Sequence, residues 1–235
     1  MTADREAVLR AFHAAKPGIT SRAFARGGSY QRMATRVPPG RVLDLACGDG
    51  PILDFLGRRA IGLDLSLDEL RLAKGSVVQG RAQALPFAER SFDAVTCHLA
   101  FMLFDDIDAV VAELARVLRP GAPFIALVGG GPSAHGRDAF HAFASHLPGG
   151  RRFGDPRASS EQGWSELFRT WTHEPRFERW PLDLGGSFDD VWTFLSSSYQ
   201  LPAGEAERIR GEVRAEFPGP RVPCTVVTYL ATVRL

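Results

Sequence analysis

Apolar residues fall along this chain in two alternating rhythms. Short apolar runs at 41–46, 60–64, 77–78, 91–97 and 124–128 read as buried strands, and the segments 51–57, 67–74 and 107–118 between them read as helices. In the last of these Ile107, Val110, Val111, Leu114, Val117 and Leu118 share one face, Asp105-Asp106 is expected to cap the start, and Arg119-Pro120-Gly121 stops it. Strands alternating with helices predict an α/β sheet covered on both faces. Upstream, 5–16 carries Val8, Leu9 and Phe12 on one face and 19–36 carries Phe24, Tyr30 and Met33 around a Gly27-Gly28 break; both helices are expected over the ligand edge of the sheet. Downstream, Gly129-Gly130-Gly131-Pro132 is expected to break the fifth strand, with helices at 136–146 and 160–171. Strands at 177–184 and 222–235 follow, separated by helices near 187–198 and 203–216, and the β-branched run Thr225-Val226-Val227-Thr228 marks a terminal strand.

A chain of 235 residues suits one large domain rather than two. Lys+Arg 28 against Asp+Glu 27 leaves a formal charge of +1, so no global field recruits nucleic acid or an anionic membrane. The expected partner is a small molecule, and the expected state a monomer or homodimer. Cys47, Cys97 and Cys224 sit far apart inside apolar runs and read as reduced, buried thiols of a cytoplasmic protein. No metal-ligand cluster accompanies them, and His135, His141 and His146 do not recur at the i, i+4 spacing of a helical metal pair. Met1 to Arg10 carries charge of both signs without an apolar core, so no signal peptide is expected. No apolar run approaches the ~20 residues that cross a bilayer.

Candidate chemistry concentrates where the first strand turns into a helix, at Val42 to Pro51. Gly48 and Gly50 let the backbone approach a ligand closely, and Pro51 suits the first helical position, where a missing N–H costs nothing. Strand, glycine turn and helix start together cradle a polar ligand. The dinucleotide pattern G-x-G-x-x-G fails here because Ala46 and Pro51 fill glycine places, and no Gly-Lys-Ser/Thr follows to make a P-loop. Asp64 ends the second strand 20 residues after Asp44, the spacing at which such a sheet offers a carboxylate to two ribose hydroxyls. Its other reading, a cap for 67–74, is one that Ser66 or Asp68 can fill.

Asp44, Ala46, Gly48 and Gly50 resemble the D-x-G-x-G-x-G motif of the class I S-adenosylmethionine (SAM)-dependent methyltransferases, with Ala46 where the first glycine is usual. Gly80 to Phe87 looks like that family's G-D-A-x-x-L-P-F stretch, with Arg81 in the place of the acid. Glu113 to Gly121, followed by Phe124 to Val128, is similar to its E-x-x-R-V-L-(K/R)-P-G-G element. These motifs cover residues 40–130 in order. The resemblance implies a Rossmann-like, seven-stranded, mostly parallel sheet with helices on both faces and an antiparallel last strand. Within a single domain 1–235 it implies an N-terminal helical cover at 1–38, a SAM-binding core at 39–130, an inserted helical cap at 131–176, and C-terminal strands and helices at 177–235.

The same resemblance implies site roles. Asp44, Ala46, Cys47 and Gly48 would hold the methionine portion, Asp64 and Leu65 the ribose, Ala82 and Gln83 the adenine, with Cys97 beside the cofactor. Arg81 has donors and no acceptor, so Gln83 or a backbone carbonyl must receive the adenine amino group, or Arg81 stacks over the ring. Tyr30 is either a contact to the methionine portion or a packing aromatic. His98, at the end of the fourth strand, is either a base or orienting group for the acceptor or a buried, hydrogen-bonded histidine. The Asp/Asn-Pro-Pro-Tyr/Phe motif of adenine, cytosine and glutamine N-methyltransferases is absent from Cys97-His98-Leu99-Ala100, which turns the expectation from nucleic-acid bases and protein glutamine towards an O, N or C atom of a small molecule. The alternatives are a catalytically silent SAM-fold binding subunit and a nicotinamide-dependent oxidoreductase. Trp164, Leu167, Phe168 and Trp171 form a stripe that is core or substrate box; Arg151, Arg152 and Arg157 attract a substrate anion or line a solvated loop. Trp192, Phe194 and Tyr199 are further candidates for the substrate pocket.

Overall fold

A computed structural model describes residues 7, 11, 13–134, 136–147, 154–199 and 201–235. Val8, Leu9, Phe12, His135, Arg151 and Arg152 lie outside them. The strands are β1 (Val42–Leu45), β2 (Ala60–Asp64), β3 (Ser76–Gln79), β4 (Ala94–His98), β5 (Pro123–Pro132), β6 (Arg176–Asp183) and β7 (Thr225–Arg234). They form one sheet in the order β3-β2-β1-β4-β5-β7-β6. β1 lies parallel to β2 and β4, and β7 runs antiparallel between β5 and β6. The chain winds outward from β1 to β3 and then returns to β4, so the crevice of this topology opens at the carboxyl ends of β1 and β4.

The helices are α1 (Ile19–Arg26), α2 (Ser29–Ala34), α3 (Pro51–Leu56), α4 (Leu67–Leu70), α5 (Ile107–Val117), α6 (Ala139–Ala144), α7 (Glu161–Leu167), α8 (Phe188–Ser198) and α9 (Ala206–Glu216). Successive strand residues point to opposite faces, so β1 sends Val42 to one core and Leu43 and Leu45 to the other. On the first face α1, α2, α3, α6, α8 and α9 bury Phe24, Met33, Ile52, Phe143, Phe194 and Ile209. On the second, α5 lays Ile107, Val110, Leu114 and Val117 against Leu43, Val95 and Phe124, and α7 adds Trp164.

Several expectations need correction. The glycine run does not end β5: pairing continues through Gly129↔Thr228 to Pro132↔Val226 with a register shift between, because β7 goes on offering its edge as an antiparallel partner. Asp106 takes the N-cap position of α5 at φ 50° but its side chain makes no capping bond. The expected helix 67–74 shortens to α4, capped by Ser66 Oγ accepting from the Glu69 N–H. The segment expected as a cap divides between the two faces. α6 joins α8 and α9, whereas α7 is core: Trp164 is fully buried and stacks on Phe124 at 5.7 Å.

The earliest helices rest on the latest strands. A Cβ on Gly27 would come within 2.9 Å of Leu184 Cδ2 and 3.2 Å of Leu182 Cβ, so α1 and α2 sit close against the end of β6. The Arg32 guanidinium lies 3.9 Å from the Trp180 ring centre, and Arg32 and Arg36 both reach Glu178. Phe24 meets Phe194 of α8 edge to face at 5.5 Å.

Candidate cofactor and active site

The turn after β1 is built from left-handed backbone. Ala46, Gly48 and Gly50 have φ of 55°, 56° and 80°. Ala46 thus adopts the conformation that the usual glycine takes freely, at a cost of roughly 1 kcal/mol. The Cys47 N–H donates to Leu63 O at 3.1 Å, and a Cβ on Gly62 would lie 2.5 Å from Cys47 Sγ, so the turn presses directly on β2. Asp64 receives the backbone N–H of Gly48 on one oxygen and that of Ser66 on the other, each at 2.8 Å. Its carboxylate therefore ties the two strand ends together while keeping further lone pairs for a ligand.

Four acids surround this turn. Asp44 is 2% exposed and accepts from Thr96 Oγ1 at 2.8 Å; burial pushes its carboxyl up to about 7, Thr96 opposing and Asp64 adding. Asp49 is raised by burial and by Glu69, against the Ser21 hydroxyl that donates to it at 2.7 Å. Asp64 is raised by burial and Glu69, against its two backbone donors and the His13 imidazole. Glu69, also buried, accepts from the Gly18 N–H at 3.0 and 3.2 Å and from His13 Nδ1 at 2.6 Å. Tyr30 stays protonated through burial and the fields of Asp49, Asp44 and Glu69. A pocket of this kind penalises its own ionisation and is relieved by a cation.

Beside the acids opens a cavity of about 110 Å³. Its wall runs from Ala46 through Leu63, Asp64, Leu65 and Ser66 to Gly80, Arg81, Ala82 and Gln83, closed by Ala100 and Leu103 to Asp105, with His13 on the N-terminal side. Ala46, Asp64, Leu65, Ala82 and Gln83 thus line one cavity. Cys97 is not in that wall: its side chain is fully buried in the α5 core. Asp44, Cys47, Gly48 and Tyr30 are not in it either, and Asp105 and His13 are members that motif reading missed. Gln83 Nε2 donates to the Asp105 carbonyl at 2.7 Å, which ties the 81–87 loop to the chain ahead of α5. The same loop is clamped from α5, where Glu113 accepts from the Leu85 N–H at 2.6 Å and Arg116 donates to the carbonyls of Leu85 and Phe87 at 2.9 and 2.7 Å. The E-x-x-R pair is therefore a splint for residues 81–87.

His98 lies beneath α1 and α2. Its Nε2 is 2.9 Å from Ser29 Oγ, its ring faces Tyr30 at 4.1 Å and meets Phe24 edge on at 5.5 Å. Burial lowers its basicity to about 3, so the ring is neutral across ordinary pH. The next residue, Leu99, sits at φ 57° and donates its N–H to Leu127 O at 2.7 Å, a strained corner at the end of β4. Other candidates are engaged elsewhere. Arg157 is held by Asp155 and Asp108 at 2.7 Å each; Trp192 packs on Phe143, and Tyr199 packs on Phe140 and Phe143. Among the described residues no group of three or more His, Cys, Asp or Glu is placed to hold a metal ion, and no helix is long and apolar enough to cross a membrane.

Sheet order, glycine turn and acid-ended strands define a Rossmann-like α/β fold with its crevice at the β1–β4 switch point. A family model described as a methyltransferase domain matches residues 43–126. A demethylmenaquinone methyltransferase of Renibacterium salmoninarum is 30% identical over 162 residues, 64% of this chain and 68% of that protein. One of Thermotoga maritima is 42% identical over 93 residues, which is 35% of this chain and 41% of that protein. The chain therefore aligns with about two fifths of one relative's length and two thirds of the other's. Among solved structures the YcgJ protein of Bacillus subtilis superposes with a TM-score of 0.59 at 22% identity, covering 88% of this chain and 97% of that one. The chain belongs to the class I SAM-dependent methyltransferases.

Proposed function

We propose that this chain binds SAM in the cavity beside Asp64 and transfers its methyl group to an O, N or C atom of a small-molecule acceptor. The observation that carries the reading is the ring of Asp44, Asp49, Asp64 and Glu69 around a left-handed glycine turn, opening into a cavity lined by Leu65, Ala82 and Gln83. Those residues fit the group: the acids suit a ligand bearing sulfonium and ammonium charge. Gly48, at φ 56°, faces Glu69 with bare backbone, since even an added Cβ would stand 4.0 Å from Glu69 Oε2. Asp64 accepts from the ribose, and Ala82 with Gln83 flanks the adenine. Bound there, SAM supplies an activated methyl on a good leaving group.

What remains for the protein is alignment and exclusion of water. Phe24 of α1 and Tyr30 of α2 cover His98. His98, neutral and fixed by Ser29, orients the acceptor by hydrogen bonding and takes its proton only from a group that transfer has made strongly acidic. The relatives are named for methylating demethylmenaquinone, a small molecule, and this supports an acceptor of that size. The test is calorimetric titration with SAM and S-adenosylhomocysteine, with NAD and NADP as controls. Micromolar binding of both adenosyl ligands and none of the nicotinamides is expected. Binding of neither adenosyl ligand would overturn the proposal.

A further inference from the structure

One wall of the cavity, Ala100 with Leu103 to Asp105, belongs to no strand: it is a single helical turn, Phe101–Leu103, and the chain on either side of it. The segment around α7 meets this stretch at three points. Gly154 packs backbone to backbone on Met102, where a Cβ would stand 2.0 Å from the Met102 carbonyl oxygen and 3.3 Å from Leu103 Cα, and its φ is 66°. Both the approach and the left-handed backbone require glycine there. Phe101, fully buried, has its ring centre 4.9 Å from that of Trp164 and 5.9 Å from that of Phe168. Arg157 donates to both oxygens of Asp108, at 3.2 and 2.7 Å, and Asp108 stands in the first turn of α5, just beyond the wall. These three contacts belong to one packed unit. A Cβ on Gly163 would lie 2.3 Å from the Arg157 carbonyl oxygen, Trp164 Nε1 donates to the Ala158 carbonyl at 3.0 Å, and Asp155 accepts from the Arg157 N–H at 2.8 Å. None of residues 154–168 is itself in the cavity wall.

We propose that residues 154–168 are the backing of the adenosyl cavity and set how far its 100–105 wall stands from the 81–87 loop, with Gly154 and Arg157 as positioning residues for cofactor affinity. The Gln83 bond to the Asp105 carbonyl ties the wall to that loop, and the contacts of Gly154, Trp164 and Arg157 hold it from behind. A wall fixed before the ligand arrives spares the ligand the cost of ordering it. With the backing loosened, that cost falls on binding, although no atom that touches the ligand has changed. The inference rests on the cofactor reading above and assigns to the chain around α7, outside every motif that identifies the family, a part in holding the cofactor.

The experiment is calorimetric titration of the full chain with S-adenosylhomocysteine, for wild type and for the Gly154→Ala, Arg157→Ala, Arg157→Lys and Ile209→Val variants. Ile209 is buried in the core on the opposite face of the sheet, so its truncation lowers stability without reaching the wall. Thermal unfolding of each variant sets a titration temperature at which all are folded. Gly154→Ala and Arg157→Ala are each expected to weaken binding by about 3- to 30-fold. Arg157→Lys keeps the charge but not the fork that grips both oxygens of Asp108, and should recover part of the loss. Ile209→Val should unfold at a lower temperature and bind as wild type does. If Gly154→Ala does not fold, the two Arg157 variants decide. Wild-type affinity in Arg157→Ala, or an equal loss in Ile209→Val, overturns the inference while the cofactor reading stands. If wild type itself binds no S-adenosylhomocysteine, the cofactor reading fails and this inference with it.

Discussion

Replacing Asp44 by Asn separates the cost of the site from its use. Asp44 is buried beneath the glycine turn and its carboxyl is pushed from 3.8 up to about 7, chiefly by burial. That displacement corresponds to roughly 4 kcal/mol against the ionised form. Because the folded protein holds this proton at a pH where the unfolded chain has released it, the group makes stability fall as pH rises from about 4 to about 7, and adds nothing further above that. Asn keeps an oxygen for the Thr96 hydroxyl and has no charge to bury. Chemical denaturation of ligand-free protein should therefore find Asp44→Asn more stable than wild type at pH 8, with the gap narrowing by roughly 3 kcal/mol between pH 8 and pH 5. The same variant should bind SAM about 10- to 100-fold more weakly at pH 8, having lost a charged partner for the cation. Parallel pH profiles for the two proteins, or a variant less stable at pH 8, would refute the claim that Asp44 is an uncompensated buried acid awaiting a cation.

Other outcomes follow from the same geometry. His98→Ala should lower kcat far more than it weakens SAM binding, and any step near pH 7 in the rate profile should be lost in Asp44→Asn, because burial holds the His98 ring neutral down to about 3 while Asp44 is pushed up to about 7; an unchanged kcat would remove His98 from the mechanism. Ala46→Gly should leave S-adenosylhomocysteine affinity intact and change stability by no more than about 1 kcal/mol in the favourable direction, whereas Ala46→Val, β-branched at φ 55°, should abolish binding, both read by denaturation and calorimetry. Trp164→Ala should cost about 3–5 kcal/mol in equilibrium unfolding if α7 is core, and far less if it were a lid.

The parallel half of the sheet was legible because its strands end on residues with a reason to be there. Asp44 sits one residue before the end of β1, Asp64 and His98 close β2 and β4, and the apolar stripe of α5 has the period of its helix. Local pattern misled where tertiary partners decide. Gly129 to Pro132 reads as a break, yet β7, almost a hundred residues later, pairs with it. Asp105-Asp106 has the composition of a cap, yet Asp106 takes a left-handed backbone and Asp105 lines the cavity. At the site, the motifs located the residues that touch Asp64 through the backbone. They could not announce His13, which reaches the cavity wall through a bond to Glu69 across 56 residues of sequence. Nor did the E-x-x-R string declare that Glu113 and Arg116 brace the loop bearing Ala82 and Gln83.

The seating of α1 and α2 on β6 and α8 has a consequence for how the protein is made. A ribosome delivers the covering helices first and β7 after every other strand, and β6 has no place in the sheet until β7 lies between it and β5. The nascent chain can assemble β1 to β5 while its early helices still lack Trp180, Leu182 and Phe194 to rest upon. The turn after β1 is thus finished long before the roof above it. The docking of α1 and α2 is therefore a late event, and a chain released before residue 225 would expose Phe24 and Met33 to the chaperones that survey unfinished proteins.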